Sequence, residues 1–167
     1  IDNYPDSGIR YGSTGSKEAI LQGYAAAMRI YFEEQPEYNE IFSCEEKMTG
    51  EIKTPEGHVL PLHATGRADL VHKRKDGAYE IIDAKFVKNF TKYENEDGEP
   101  HEDYIKIVQA QFMLHLLKSA KGIDAERVVF REIKYTVNRD GSPQIRDYII
   151  PANHEPYRII FYNLYKD

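Results

Sequence analysis

Gly66-Arg67-Ala68-Asp69-Leu70-Val71, then Lys75-Asp76-Gly77, then Tyr79-Glu80-Ile81-Ile82-Asp83-Ala84-Lys85-Phe86 is the stretch on which the reading of this chain turns. Lys75-Asp76-Gly77 has the composition of a tight turn, with Asp-Gly supplying the positive φ that such turns need, so the flanking segments pair as a hairpin. Asp69 and Asp83 stand equally far before and after Asp76, so a loop centred there sets the two carboxylates opposite each other, with Cβ atoms about 5 Å apart. Strand side chains alternate faces, so Asp83 and Lys85 share a face and Ala84 points the other way. The strand is otherwise apolar (Tyr79, Ile81, Ile82, Phe86, Val87), and an uncompensated ionised pair there would cost several kcal/mol. A hard cation between the carboxylates removes the repulsion, since Mg²⁺ takes carboxylate oxygens at about 2.1 Å and keeps several waters. A lysine beside such a cation can hold or deprotonate an attacking water and offset charge on a phosphate.

Working outward, Ser16 caps a helix expected to run to about Glu34, with Ile20, Tyr24, Ala27, Met28 and Tyr31 on its core face and Pro36 beyond its end. From Ile41 to Ile52, Phe42, Cys44 and Met48 alternate with polar residues, and Thr54-Pro55-Glu56-Gly57 returns the chain toward Val71. Residues 87–102 read as a polar acidic loop carrying Glu94, Glu96, Asp97 and Glu99, either a solvated connection or a mobile lid. A second amphipathic helix follows from about Asp103 to Ser119, burying Ile107, Val108, Phe112, Leu114 or Leu116. Two strands, Arg127 to Val137 and Gln144 to Ile150, complete the order, and Pro156 suits the first turn of a short closing helix. Helix, three strands, helix, two strands is an α/β arrangement, a mixed central β-sheet flanked by helices.

A chain of 167 residues with 41% hydrophobic content has room for one core, so a single domain over residues 1–167 is expected. It begins at Ile1 and ends among aromatics (Tyr157, Phe161, Tyr162, Tyr165), which suits a domain excised from a longer chain. No apolar run of about 18 residues and no basic, apolar leader is present, so no membrane partner is expected and a cytoplasmic, intracellular location is, in the host cell if the protein is viral. The lone Cys44 cannot form an internal disulfide or the thiolate set of a zinc or iron-sulfur site, and reads as a buried strand cysteine. A net charge of −6 excludes a general nucleic-acid coat protein but not a nuclease, whose acidic centre is masked by metal.

Gly66-Arg67-Ala68-Asp69, a hairpin, then Ile81-Ile82-Asp83-Ala84-Lys85 resembles the PD-(D/E)XK nuclease superfamily, and within it the RecB-like exonuclease branch. Cys44-Glu45-Glu46-Lys47-Met48 is similar to that family's first core strand, which maps the family glutamate onto Glu45, with Glu46 as its competitor. Gln111-Phe112-Met113-Leu114-His115 resembles the helical Gln-x-x-x-Tyr element, with His115 in the tyrosine's place. The resemblance implies a restriction-endonuclease-like core and a site in which Asp69 and Asp83 ligate Mg²⁺ or Mn²⁺, helped by the Ala84 carbonyl and Glu45. Lys85 would handle the water, and Gln111 would contact nucleic acid or the site's edge. Arg67, Lys88 and Lys92 are closest in sequence to the site and are the candidates for gripping a phosphate backbone. The function implied is metal-dependent hydrolysis of DNA phosphodiester bonds, as an exonuclease in recombination, repair or phage replication. The alternative is a catalytically weak module of the same fold that binds nucleic acid, a helicase or a recombination protein.

Overall fold

The computed structural model describes residues 16–34, 38–53, 57–92, 103–136, 138, 142–153, 155, 158 and 163. The order is α1 (Lys17–Glu33), β1 (Glu40–Lys53), β2 (Val59–Lys73), β3 (Tyr79–Val87), α2 (Tyr104–Lys121), β4 (Ala125–Lys134) and β5 (Ile145–Pro151). This is the succession that the periodicity predicts. The acidic stretch Glu94 to Glu99 and the turn at Pro156 lie outside the described residues.

The five strands form one sheet in sequence order. β1 with β2, β2 with β3 and β4 with β5 are antiparallel, whereas β3 and β4 are parallel. Parallel neighbours need a crossover, and α2 provides it. The result is the mixed sheet with flanking helices of a restriction-endonuclease-like core. The β2–β3 turn closes with Arg74 N–H donating to the Ala78 carbonyl at 2.8 Å. Gly77 alone takes the positive φ, at 91°, and Asp76 does not, because its carboxylate instead accepts the Ala78 N–H at 3.1 Å. That correction leaves the register intact, since Leu70 pairs with Ile82 and Val71 with Ile81.

α2 begins at Asp103, whose side chain accepts the Lys106 N–H, and ends at Gly122 in the left-handed region, with Lys118 and Lys121 in the last turn where the helix dipole favours cations. Its buried residues, Ile107, Ala110, Met113, Leu116 and Leu117, pack on Met48, Ala68, Val71, Ile81, Val128 and Phe130 of the sheet. Val108, Phe112 and Leu114, expected in this core, are only partly buried at its margin. Gly66 has a packing reason: a Cβ there would lie 3.0 Å from both Leu116 and Phe112, so the missing side chain lets α2 approach β2 beside Asp69. α1 is capped by Ser16 as expected. Its core face is covered less than the pattern suggests, with Ala27 buried but Tyr24 and Met28 exposed, because Met28 and Tyr31 border an open cleft.

Candidate active site

Three carboxylates line up across three neighbouring strands. The pairs Cys44 with Leu70 and Glu46 with Ala68 bracket Glu45 against Asp69, and Leu70 with Ile82 sets Asp69 next to Asp83. β2 and β3 stop pairing regularly after Leu70 and Ile82. Beyond that point the Ala84 N–H donates to Asp69 Oδ2 at 2.9 Å, so a carboxylate stands where a strand carbonyl would. The sheet is therefore opened at the two aspartates.

Asp83 is buried on the face covered by α2, at 4% exposure. Its Oδ2 accepts a hydrogen bond from Gln109 Nε2 at 2.8 Å, and its Oδ1 lies 2.5 Å from Lys85 Nζ. The Lys85 ammonium is therefore the charged partner of Oδ1, as the Gln109 amide is the partner of Oδ2. Burial pushes the Asp83 carboxyl above its ordinary pKa and the Asp69 charge adds to this, against the opposing pull of Lys85 and Gln109. Lys85 is partly exposed, and its Nζ lies 5.9 Å from the centre of the Phe130 ring.

Glu45 adopts φ = 52°, alone among described non-glycine residues in the left-handed region. An L residue resists that conformation, so the strand is locally distorted there. Its consequence is visible in the alternation: Cys44 and Glu45, adjacent in sequence, both line one cleft, as do Asp69 and Leu70. Cys44 is accordingly exposed and not the buried strand cysteine expected. Glu45 is exposed and 3.6 Å from Arg67, whereas Glu46 ion-pairs with Lys121 of α2. Of the two, Glu45 is the one beside Asp69. The cleft, about 360 Å³, runs between α1 and the sheet and is walled by Tyr31, Tyr38, Leu70, Ile82 and Phe86. Burial raises the pKa of both phenols, so Tyr31 and Tyr38 are neutral at its wall, and the Tyr38 hydroxyl accepts from Arg131 Nη1 at 3.1 Å.

Gln111 is not at this site. It is 2% exposed and borders a separate cavity of about 170 Å³ with His115, Lys118 and Arg158. Its Nε2 has no hydrogen-bond partner among the described residues, and burial lowers the pKa of His115 beside it. A helix turns about 100° per residue, so the glutamine two positions earlier, Gln109, is the one that faces Asp83. The resemblance to the Gln-x-x-x-Tyr element points to Gln111, whereas Gln109, two residues earlier, lies about 200° around the helix from it. Arg67, Lys88 and Lys92 are exposed, Arg67 over Glu45 and the two lysines just after β3.

No group of three or more His, Cys, Asp or Glu side chains among the described residues is gathered tightly enough to hold a metal. Mg²⁺ asks for less, usually one or two carboxylates with waters completing the shell. Asp69, which opens on the cleft, and Asp83, which lies under α2, are the two carboxylates that could serve in that way, and they are near enough for the Asp69 charge to help raise the Asp83 pKa. Glu45 would join only by leaving Arg67.

No protein-family model matches the chain, and no curated protein matches it. Among solved structures, the "Putative exonuclease" of Eubacterium rectale superposes with a TM-score of 0.51 at 14% identity, over 90% of this chain and 51% of that one. The structure of SSO0001 superposes with a TM-score of 0.45 at 19% identity, over 89% of this chain and 60% of that one, too loosely to argue from. The chain thus spans between half and two thirds of the length of these structures. At such identity the first likeness speaks for the fold alone. Among the described residues no helix is long and apolar enough to cross a membrane.

Proposed function

We propose that this chain is a Mg²⁺- or Mn²⁺-dependent deoxyribonuclease of the PD-(D/E)XK kind, acting as an exonuclease of the RecB-like branch. The observation that carries the reading is the opened strand pair, where Asp69 and Asp83 adjoin and Lys85 Nζ stands 2.5 Å from Asp83. Asp69 and Asp83 would hold the cation, with the Ala84 carbonyl adjacent. When bound, it supplies Lewis-acid stabilisation of the phosphoryl oxygens and lowers the pKa of water. Gln109 fixes the Asp83 carboxylate through Oδ2, which leaves Oδ1 for the cation and Lys85. Lys85 orients the attacking water and offsets charge gathering on the phosphate. Arg67, Lys88 and Lys92 supply exposed cations for neighbouring phosphates on a chain of net charge −6. DNA is the substrate, in recombination, repair or phage replication, and a helicase or recombination protein is the partner class.

The test is cleavage of linear DNA with Mg²⁺ or Mn²⁺ by the wild type, Asp83→Ala and Lys85→Ala. Metal-dependent cleavage lost in both variants supports the enzyme. DNA binding without cleavage in the wild type would establish the binding module instead.

A further inference from the structure

Lys85 has two carboxylates within reach and uses one. Asp83 lies two residues before it on the same face, and Glu132 is its partner across the parallel β3–β4 register. Residues paired across strands have Cβ atoms about 5 Å apart, well within the span of a lysine stem. Yet the Lys85 ammonium sits on Asp83.

The reason lies in what already holds Glu132, which is fully buried. Its Oε2 accepts the Thr91 N–H at 2.7 Å, and its Oε1 accepts the Thr91 hydroxyl and lies 3.2 Å from Lys106 Nζ. Lys106 reaches it from the first turn of α2, donating also to Asp103 at 2.9 Å and to Thr91 Oγ1 at 2.8 Å. Burial works against the Lys106 charge, but hydrogen bonds to Asp103 and Glu132 outweigh it and raise its pKa, so the ammonium persists. A buried carboxylate needs a countercharge, and here the charge comes from the helix.

We propose that Lys106 is a positioning residue which, by neutralising Glu132, keeps that carboxylate from drawing Lys85 away from Asp83. The proposal rests on the assignment of Lys85 to the hydrolytic chemistry only where activity is read; the placement of the Lys85 ammonium is independent of it. Two cations are paired with Glu132 across its neighbouring strands, Lys85 on β3 and Arg146 on β5. Arg146 is held on the Thr91 carbonyl and over the Phe90 ring, so without Lys106 the Glu132 charge draws Lys85, whose ammonium is partly exposed, across. A catalytic group displaced by about 1 Å loses on the order of 100-fold in rate, so Lys106→Met loses about that in kcat while KM stays near its wild-type value.

Crystal structures and Mg²⁺-dependent kinetics of Lys106→Met, Glu132→Gln and the double variant test this. Lys85 Nζ is expected on Glu132 in Lys106→Met and back on Asp83 in the double variant, which recovers most of the lost kcat because glutamine still accepts from Thr91 but carries no charge. Glu132→Gln alone is expected to keep Lys85 on Asp83 and to cleave nearly as well as wild type. Lys85 remaining on Asp83 in Lys106→Met overturns the proposal, as does a double variant no better than the single one. If Lys106→Met does not fold, Glu132→Gln decides: a kcat loss near 100-fold there would show that Glu132 itself is required, and the proposal fails. Movement of Lys85 in a protein whose wild type cleaves nothing would uphold the positioning role and refute the nuclease reading.

Discussion

Replacing Glu132 by alanine should unfold the protein at a markedly lower temperature, and the size of the drop follows from its partners. The side chain is fully buried on β4, and its carboxylate receives the Thr91 N–H, the Thr91 hydroxyl and Lys106. Breaking a buried ion pair by deleting one member costs about 3–5 kcal/mol when the other charge is stranded. Lys106 would not be stranded, because Asp103 remains 2.9 Å from it, so the charge contribution falls below that range, to about 1–2 kcal/mol. The Thr91 N–H loses its acceptor, at about 1–3 kcal/mol for a buried donor, though the segment around Thr91 is near enough to the surface to recover part of this from water. The total is about 3 kcal/mol. At about 2–4 °C per kcal/mol for a domain of this size, Tm falls by roughly 6–12 °C. Calorimetry of Glu132→Ala beside Glu132→Gln measures it, with the glutamine variant losing less than half as much. A fall of under about 2 °C for alanine would refute the reasoning, since the network could not then be both buried and closed.

The Asp83 carboxyl, raised by burial and by Asp69, contributes stability that is fully present below its unfolded pKa, about 3.9, and lost as pH rises through the higher folded value. In chelator, Asp83→Asn should therefore melt at or above the wild-type temperature near neutral pH, with the difference closing in acid; a large fall at neutral pH would make Asp83 structural. Lys85→Ala should abolish cleavage and retain metal affinity by calorimetric titration, and an affinity loss as large as that of Asp83→Ala would reassign the lysine. Gln109→Ala should lower kcat by about tenfold or more, the equivalent of a charge-assisted hydrogen bond worth about 1.5–3 kcal/mol, while Gln111→Leu should leave kcat within a few-fold. The reverse ranking would return the role to Gln111.

Much of the architecture was readable because its signals are local. The turn at Gly77, the caps at Ser16 and Asp103 and the alternation along β3 each depend on a few neighbouring residues, and the register they set brings Asp69 beside Asp83. The facing of Gln109 was not readable from a motif, because which side of α2 meets Asp83 depends on how Ile107, Ala110 and Met113 seat on the sheet. Cys44 departs from its expected burial for a related reason. Strict alternation buries it, but the left-handed Glu45 breaks the alternation, and nothing in an L residue's identity announces a positive φ. The Glu132–Thr91–Lys106 network joins three segments far apart in sequence and carries no spacing signature at all.

A crystal soaked in Mn²⁺ and measured for anomalous scattering examines the central claim most directly, because it sees the cation whatever the substrate. A single strong peak bound by the Asp69 and Asp83 carboxylates, reduced to background in Asp83→Asn, is the result expected. A peak elsewhere on the chain, or none beside these two residues at millimolar Mn²⁺, would contradict the account.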